Sequence, residues 1–250
     1  MALVRVIGVE DFGITAREAA HAGFDNVNID LMYALPGQDV DAALSDIAAA
    51  AALHPTHVSW YQLTLEPNTV FHARPPRDLP DDDLAFAIQQ AGEVRLAELG
   101  FERYEVSAYA RDGRRCRHNL NYWSFGEYLA VGAGAHGKLS TSAGILRYRK
   151  SANPLQYMQE IETGAEQGTL TVVSDDDLLF EFMLNAWRLV DGFDERLFVE
   201  RTRLPLPVLR GRLAPLAKRG LVDGGDGGLW RPTLKGHQFL NDLQAHFLPE

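Results

Sequence analysis

The chain has 250 residues, a formal net charge of −10, and 46% hydrophobic and 23% charged residues. That length and mix suit one large or two smaller globular domains with a sizeable core. The acidity argues against nucleic acid as the main partner, because duplex binding rests on Lys and Arg neutralising phosphates. No apolar run approaches the ~18 residues of a membrane span, and "MALVRVIGVEDFG" carries no signal-peptide pattern, so a cytoplasmic location is expected. The single cysteine, Cys116, excludes an internal disulfide and any multi-cysteine zinc or iron–sulfur site built from this chain alone.

Residues 15–22 ("TAREAAHA"), closed by Gly23, read as a helix. Residues 26–35 ("NVNIDLMYAL") read as a buried strand running into a loop at "PGQ". A helix over 39–53 follows, with apolar positions 40, 43, 44 and 47 and Asp39 at its start. "HVSWYQLTL" (57–65) is β-branched and aromatic, as a strand should be. A Pro-rich connection leads to a helix over 81–100, whose acidic first turn suits the helix dipole and whose Gly100 stands at the C-terminal cap. "FERYEVSAYA" (101–110) reads as a third strand. Strand and helix alternate with the loop lengths of parallel βαβ units. Three strands do not close a barrel, and eight need ~200 residues or more. The expectation is an open sheet or part of a larger barrel.

Residues 141–170 read as a connecting region. From about 171 the texture changes. "SDDDLLFEFMLNAWRLVDGF" has a Ser cap and an acidic first turn, and two more amphipathic helices follow. "VDGGDGGLWRPTLKG" reads as two strands round a Gly-rich turn, and "HQFLNDLQAHFL" as a closing helix. That order predicts a winged-helix-like domain over 171–250. Its basic helix "PVLRGRLAPLAKRG" admits DNA binding, which the overall charge disfavours.

"GAGAHG" (132–137) fits the spacing of a dinucleotide loop, but no apolar helix follows it, so the glycines read as a tight backbone path. His54, His57 and His72 lack the spacing of a helical metal pair and read as loop or capping residues. Asp30 sits in the apolar strand "NIDLMY", where a buried carboxylate needs a partner. A ligand contact and a structural hydrogen bond fit it equally. "CRHNLNYW" (116–123) crowds polar and aromatic groups beside Arg111, Arg114, Arg115 and Arg117. If extended, it would turn Cys116 and His118 to one side, which permits a nucleophile dyad. A haem site, with an axial His118, stacking by Tyr122 and Trp123 and arginines for the propionates, fits the residue types. So does a polar structural turn.

"GFDNVNIDLMYALPGQ", "VSWYQLTLEPNTVF" and "CRHNLNYWSFGEYLAVGAGAHG", with "LAPLAKRGLVD" and "RPTLKGHQFLN", together resemble the oxygen-independent coproporphyrinogen III oxidase-like radical SAM family, and within it the HemW-type haem-chaperone branch. The resemblance runs from about residue 15 to the end. It implies an α/β fold: the later part of a partial TIM-like barrel over 1–140, a connecting region over 141–170, and a mainly helical winged-helix-like domain over 171–250. It implies haem held by His118, Asn119 and Tyr122, with His118 as the iron ligand. It implies contacts from Asp30 and Thr64 to S-adenosylmethionine, and haem transfer to an accepting protein. The family's [4Fe–4S] cluster sits on an N-terminal cysteine run that has no counterpart here; "VIGVEDF" (6–12) only faintly matches the family's first retained strand. No cluster and no catalytic residue is therefore expected on this chain. The alternative is a fragment of a coproporphyrinogen-oxidising enzyme. An incomplete barrel would leave sheet edges open and favour self-association.

Overall fold

A computed structural model of the chain describes residues 18–19, 21–165, 168–224 and 226–249. The segment 6–12 and most of the helix expected over 15–22 lie outside them; residues 18, 19 and 21 are helical. The fold is mixed α/β and divides into two compact units, one ending at Cys116 and the other beginning at Arg117.

In the first unit, β1 (Asn28–Tyr33) and β2 (His57–Gln62) pair in parallel, with Asn28 opposite His57 and Asp30 opposite Ser59. The crossover between them is α1 (Val40–Ala51). Its cap is Asp39, whose carboxylate accepts from the Ala42 amide at 2.8 Å. The connection after β2 holds a short helix the sequence did not signal, α2 (Val70–Ala73), and then α3 (Asp82–Glu98), capped by Asp81. The backbone leaves α3 at Gly100 with φ +82, a left-handed conformation that favours glycine.

The third strand expected over 101–110 is two strands. β3 (Glu102–Glu105) and β4 (Ala108–Ala110) form an antiparallel hairpin, and β4 also pairs antiparallel with β2, giving the order β1-β2-β4-β3. The chain reverses because the Glu105 carboxylate accepts from both the amide and the hydroxyl of Ser107, each at 3.1 Å. β3 still runs in the direction of β1 and β2, one place further out.

One face of this sheet is apolar. Ile29, Tyr33, Val58, Trp60 and Tyr109 pack with Ala43 and Ile47 of α1 and Ala85, Ile88 and Leu96 of α3. Trp60 stacks on Tyr33 with centroids 4.3 Å apart and fills the space above Gly92, where an added Cβ would collide with the indole.

The second unit opens with α4 (Arg117–Trp123). Residues 141–170, expected as a connection, contribute to a sheet instead. β5 (His136–Thr141) and β6 (Gly144–Arg149) form a hairpin; after α5 (Pro154–Thr163), β7 (Thr169–Val172) pairs with β6 to give the order β5-β6-β7. The division after Cys116, rather than near 140, follows from these contacts: Tyr128 bridges to Lys138 of β5, and α4 packs on α6 (Asp175–Ala186). Then come β8 (Phe193–Asp194), α7 (Glu195–Thr202), α8 (Leu206–Lys218), β9 (Val222–Gly224) and β10 (Leu229–Pro232), with sheet order β8-β10-β9. The single closing helix expected is broken at Phe239 into α9 (Leu234–Gln238) and α10 (Leu240–Ala245). Phe182, Met183, Trp187, Phe198, Leu209 and Leu213 form the core.

Gly92→Ala should cost about 1–3 kcal/mol, the range for overpacking a filled core. Gly211→Ala, on an exposed turn of α8 with nothing near its Cβ position, should instead gain about 0.5–1 kcal/mol from lower backbone entropy. Urea melts of the two variants should therefore move in opposite directions.

Candidate functional site

Residues 117–123 are helical, so the extended reading of "CRHNLNYW" does not hold. Cys116 precedes the helix and His118 lies in its first turn. The helix instead puts His118 and Tyr122, four residues apart, on one face. Their rings meet edge-on with centroids 4.7 Å apart, and Tyr122 stacks against Tyr128 at 4.5 Å. His118 is exposed, while Tyr122 and Tyr128 are half-buried. Asn119 lies about 100° further round the helix and does not share this face.

The cluster is held from behind. The Arg147 guanidinium donates to the Tyr128 hydroxyl and to the Glu181 carboxylate, with the Nε bond to Glu181 at 3.0 Å. The end of α4 is equally fixed. Phe125 takes φ +54, unusual for a bulky residue, and Gly126 follows where a Cβ would strike Asn121. The buried Lys138 Nζ donates to the Phe125 carbonyl at 2.7 Å and lies 3.0 Å from the centroid of the Phe125 ring. On the other side Arg188 stacks on Trp123 at 4.2 Å.

The arginine cluster is dispersed. Arg111 lies over Phe101 and donates to the Leu99 carbonyl, Arg114 pairs with Asp25 at 3.3 Å, and Arg115 lies over Tyr104. All three are tied within the first unit. Arg117, on α4, is exposed.

The sheet of the first unit presents a second polar cluster, opposite its helix-covered face. Asp30 is exposed, not buried as its strand suggested, and accepts from Asn28 Nδ2 at 2.7 Å. His57, read from sequence as a loop or capping residue, is a strand residue only 4% exposed. Its Nδ1 lies 2.6 Å from Asn28 Oδ1 and its Nε2 lies 2.8 Å from the Tyr104 hydroxyl. Burial holds this imidazole below the usual histidine range, against an opposing pull from Glu105 and Asp30. Its signal in the sequence was alternation: Asn28 and Asp30, like His57 and Ser59, are two residues apart. His54 follows α1 in a left-handed turn, φ +55, and His72 is in α2 with Nδ1 3.2 Å from the Leu65 carbonyl. Thr64 donates to Glu66 at 3.0 Å. It is five residues beyond Ser59, the register partner of Asp30, which is ~16 Å of extended strand. The two would touch only opposite ends of a long ligand.

"GAGAHG" leads into β5 and not a helix, with Gly132 at φ +104 and Gly134 at φ +72. Among the described residues no group of three or more His, Cys, Asp or Glu side chains could hold a metal ion. No helix among them is long and apolar enough to cross a membrane.

The HemN C-terminal domain family matches residues 173–239. The chain is 41% identical to the heme chaperone HemW of Escherichia coli, over 99% of this chain and 64% of the relative. It is 40% identical to that of Haemophilus influenzae, over 92% and 58%, and 28% identical to that of Bacillus subtilis, over 98% and 65%. The chain thus spans about three-fifths of the length of these relatives. The solved structure of E. coli coproporphyrinogen III oxidase (HemN), titled a radical SAM enzyme, superposes with TM-score 0.75 at 21% identity, over 97% of this chain and 59% of that one. It shares the fold.

Burial, reinforced by the Arg147 guanidinium, pushes Lys138 down to about 7. Between about pH 7 and 10 the unfolded chain therefore binds more protons at this lysine than the folded chain does. Stability should rise with pH across that window, by at most about 1.4 kcal/mol per pH unit. Urea midpoints measured at pH 7, 8 and 9 should climb, and Lys138→Met should flatten the climb.

Proposed function

We propose that this chain belongs to the HemW-type branch of the coproporphyrinogen oxidase-like radical SAM family, and that it binds haem and passes it to an accepting protein. The observation that carries the reading is the His118–Tyr122 pair on an exposed helix face, backed by Tyr128, Arg147 and Glu181. An exposed imidazole is a usual iron ligand and stacked phenols suit a porphyrin face. His118 would take the iron, Tyr122 the macrocycle, and Asn119 a polar edge. Haem is cargo here, so the site must release it as well as hold it.

The family's two cofactors fit unequally. An iron–sulfur cluster needs several thiolates, and this chain has one cysteine. The residues present do not fit a [4Fe–4S] cluster. S-adenosylmethionine fits better, because Asp30 presents a carboxylate on an open sheet face with Ser59 beside it. When bound it would offer a cationic sulfonium and amine to that carboxylate.

The parallel β1–β2 pair, helices on one face and polar groups on the other, supports reading the first unit as part of a TIM-like barrel. The order α6-β8-α7-α8-β9-β10 supports a winged-helix-like reading of the later elements. β1 is a sheet edge among the described residues, and such edges invite pairing. Sedimentation should show self-association; a single monomeric species across micromolar concentrations would count against it.

Haemin titrated into the purified chain should give a saturable, shifted Soret band, and His118→Ala should weaken binding at least about tenfold, a loss of about 1.4 kcal/mol or more. Unsaturable binding, or binding indifferent to His118, would overturn the reading.

A further inference from the structure

The polar face of the first unit carries a hydrogen-bond chain in which every donor and acceptor is fixed by its neighbour. It begins at Asp30, whose carboxylate only accepts. Asn28 must therefore turn its amide nitrogen to Asp30, at 2.7 Å, and its oxygen the other way. That oxygen receives the Ser59 hydroxyl at 3.2 Å and faces His57 Nδ1 at 2.6 Å. An amide oxygen cannot donate, so His57 Nδ1 must carry a proton. A neutral ring then has Nε2 as an acceptor, and the Tyr104 hydroxyl donates to it at 2.8 Å. The Tyr104 oxygen is left to accept, and the Cys116 amide donates to it at 3.3 Å. His57 and Tyr104 are 4% and 1% exposed, so water does not compete for the bond between them.

We propose that His57 is a positioning residue: locked in its Nδ1–H form by Tyr104, it sets the orientation of Asn28 and so presents the Asp30 carboxylate to a ligand bearing a cationic amine or sulfonium group. The role rests on the reading of Asp30 as a contact for S-adenosylmethionine. The same chain holds the amide of Cys116, the residue before α4. Removal of the Tyr104 hydroxyl leaves Nε2 without its donor, so the ring is free to carry its proton there. Nδ1 would then face Asn28 Oδ1 as a second acceptor, and Asn28 would turn its nitrogen away from Asp30.

The test combines a spectroscopic and a binding readout on the full chain. Long-range proton–nitrogen NMR of the wild type should show His57 neutral and protonated at Nδ1, the less common form of a free imidazole. A Tyr104→Phe variant with an unchanged melting temperature should lose that signature. Its affinity for S-adenosylmethionine, measured calorimetrically, should drop about tenfold, a hydrogen-bond-sized loss. Asn28→Ala, at an exposed position, should weaken binding with the His57 fold intact. A ring protonated at Nε2 in the wild type overturns the proposal, and so does a folded Tyr104→Phe that binds as well as wild type. Wild type that fails to bind S-adenosylmethionine at all, with His57 in the expected form, overturns the ligand reading of Asp30 and the role of His57 with it. If Tyr104→Phe does not fold, the wild-type signature and Asn28→Ala decide.

Discussion

Side chains of a strand alternate between its two faces, and in the first unit that single constraint fixes both the core and the polar cluster. Ile29, Tyr33, Val58 and Trp60 must meet α1 and α3. Their neighbours Asn28, Asp30, His57 and Ser59 must then share the other face. A slip of one residue in either strand would exchange the two sets. The apolar packing therefore holds the register that aligns Asn28 with His57 and Asp30 with Ser59. Burial of an imidazole on the polar side is tolerable only because both ring nitrogens have partners.

Helices were the legible part of the fold, because their termini are written in the sequence. Asp39 and Ser174, placed at helix starts by the sequence, each cap a helix with the side chain, and so does Asp81 in the acidic run that opens α3. Reversals were less legible. "FERYEVSAYA" has the β-forming composition of one strand and no Gly, Pro or Asn to mark a turn. What bends it is a carboxylate reaching two residues along to Ser107. The β5–β6 hairpin turns at Ser142 and Ala143, again without the usual turn pairs. "RHNLNYW" has middling helix propensity; its helical state depends on contacts with Lys138, Tyr128 and α6 that lie elsewhere in the chain.

The candidate sites were legible to a similar extent. His118 and Tyr122 are named by their motif, but their shared face follows only from the helix. Tyr128, Arg147 and Glu181 carry no motif and join the cluster through tertiary pairing. His57 has no metal-ligand spacing; strand alternation with Asn28 and Asp30 is its signal in the sequence. The arginines are close in sequence, but Phe101, Asp25 and Tyr104 of the first unit take Arg111, Arg114 and Arg115 in turn.

A carrier differs from a storage site in how its ligand is enclosed. On the haem reading, His118 would offer one iron ligand from the surface. Affinity would then rest on the imidazole and on stacking with Tyr122. Stacking is worth most when the ring is already immobilised, since no rotamer entropy is lost on binding. Arg147 supplies that by fixing Tyr128 between itself and Tyr122, while Glu181 keeps the guanidinium compensated in a half-buried position. Such a face would bind through preorganisation, and would leave the cargo within reach of a competing ligand on an acceptor.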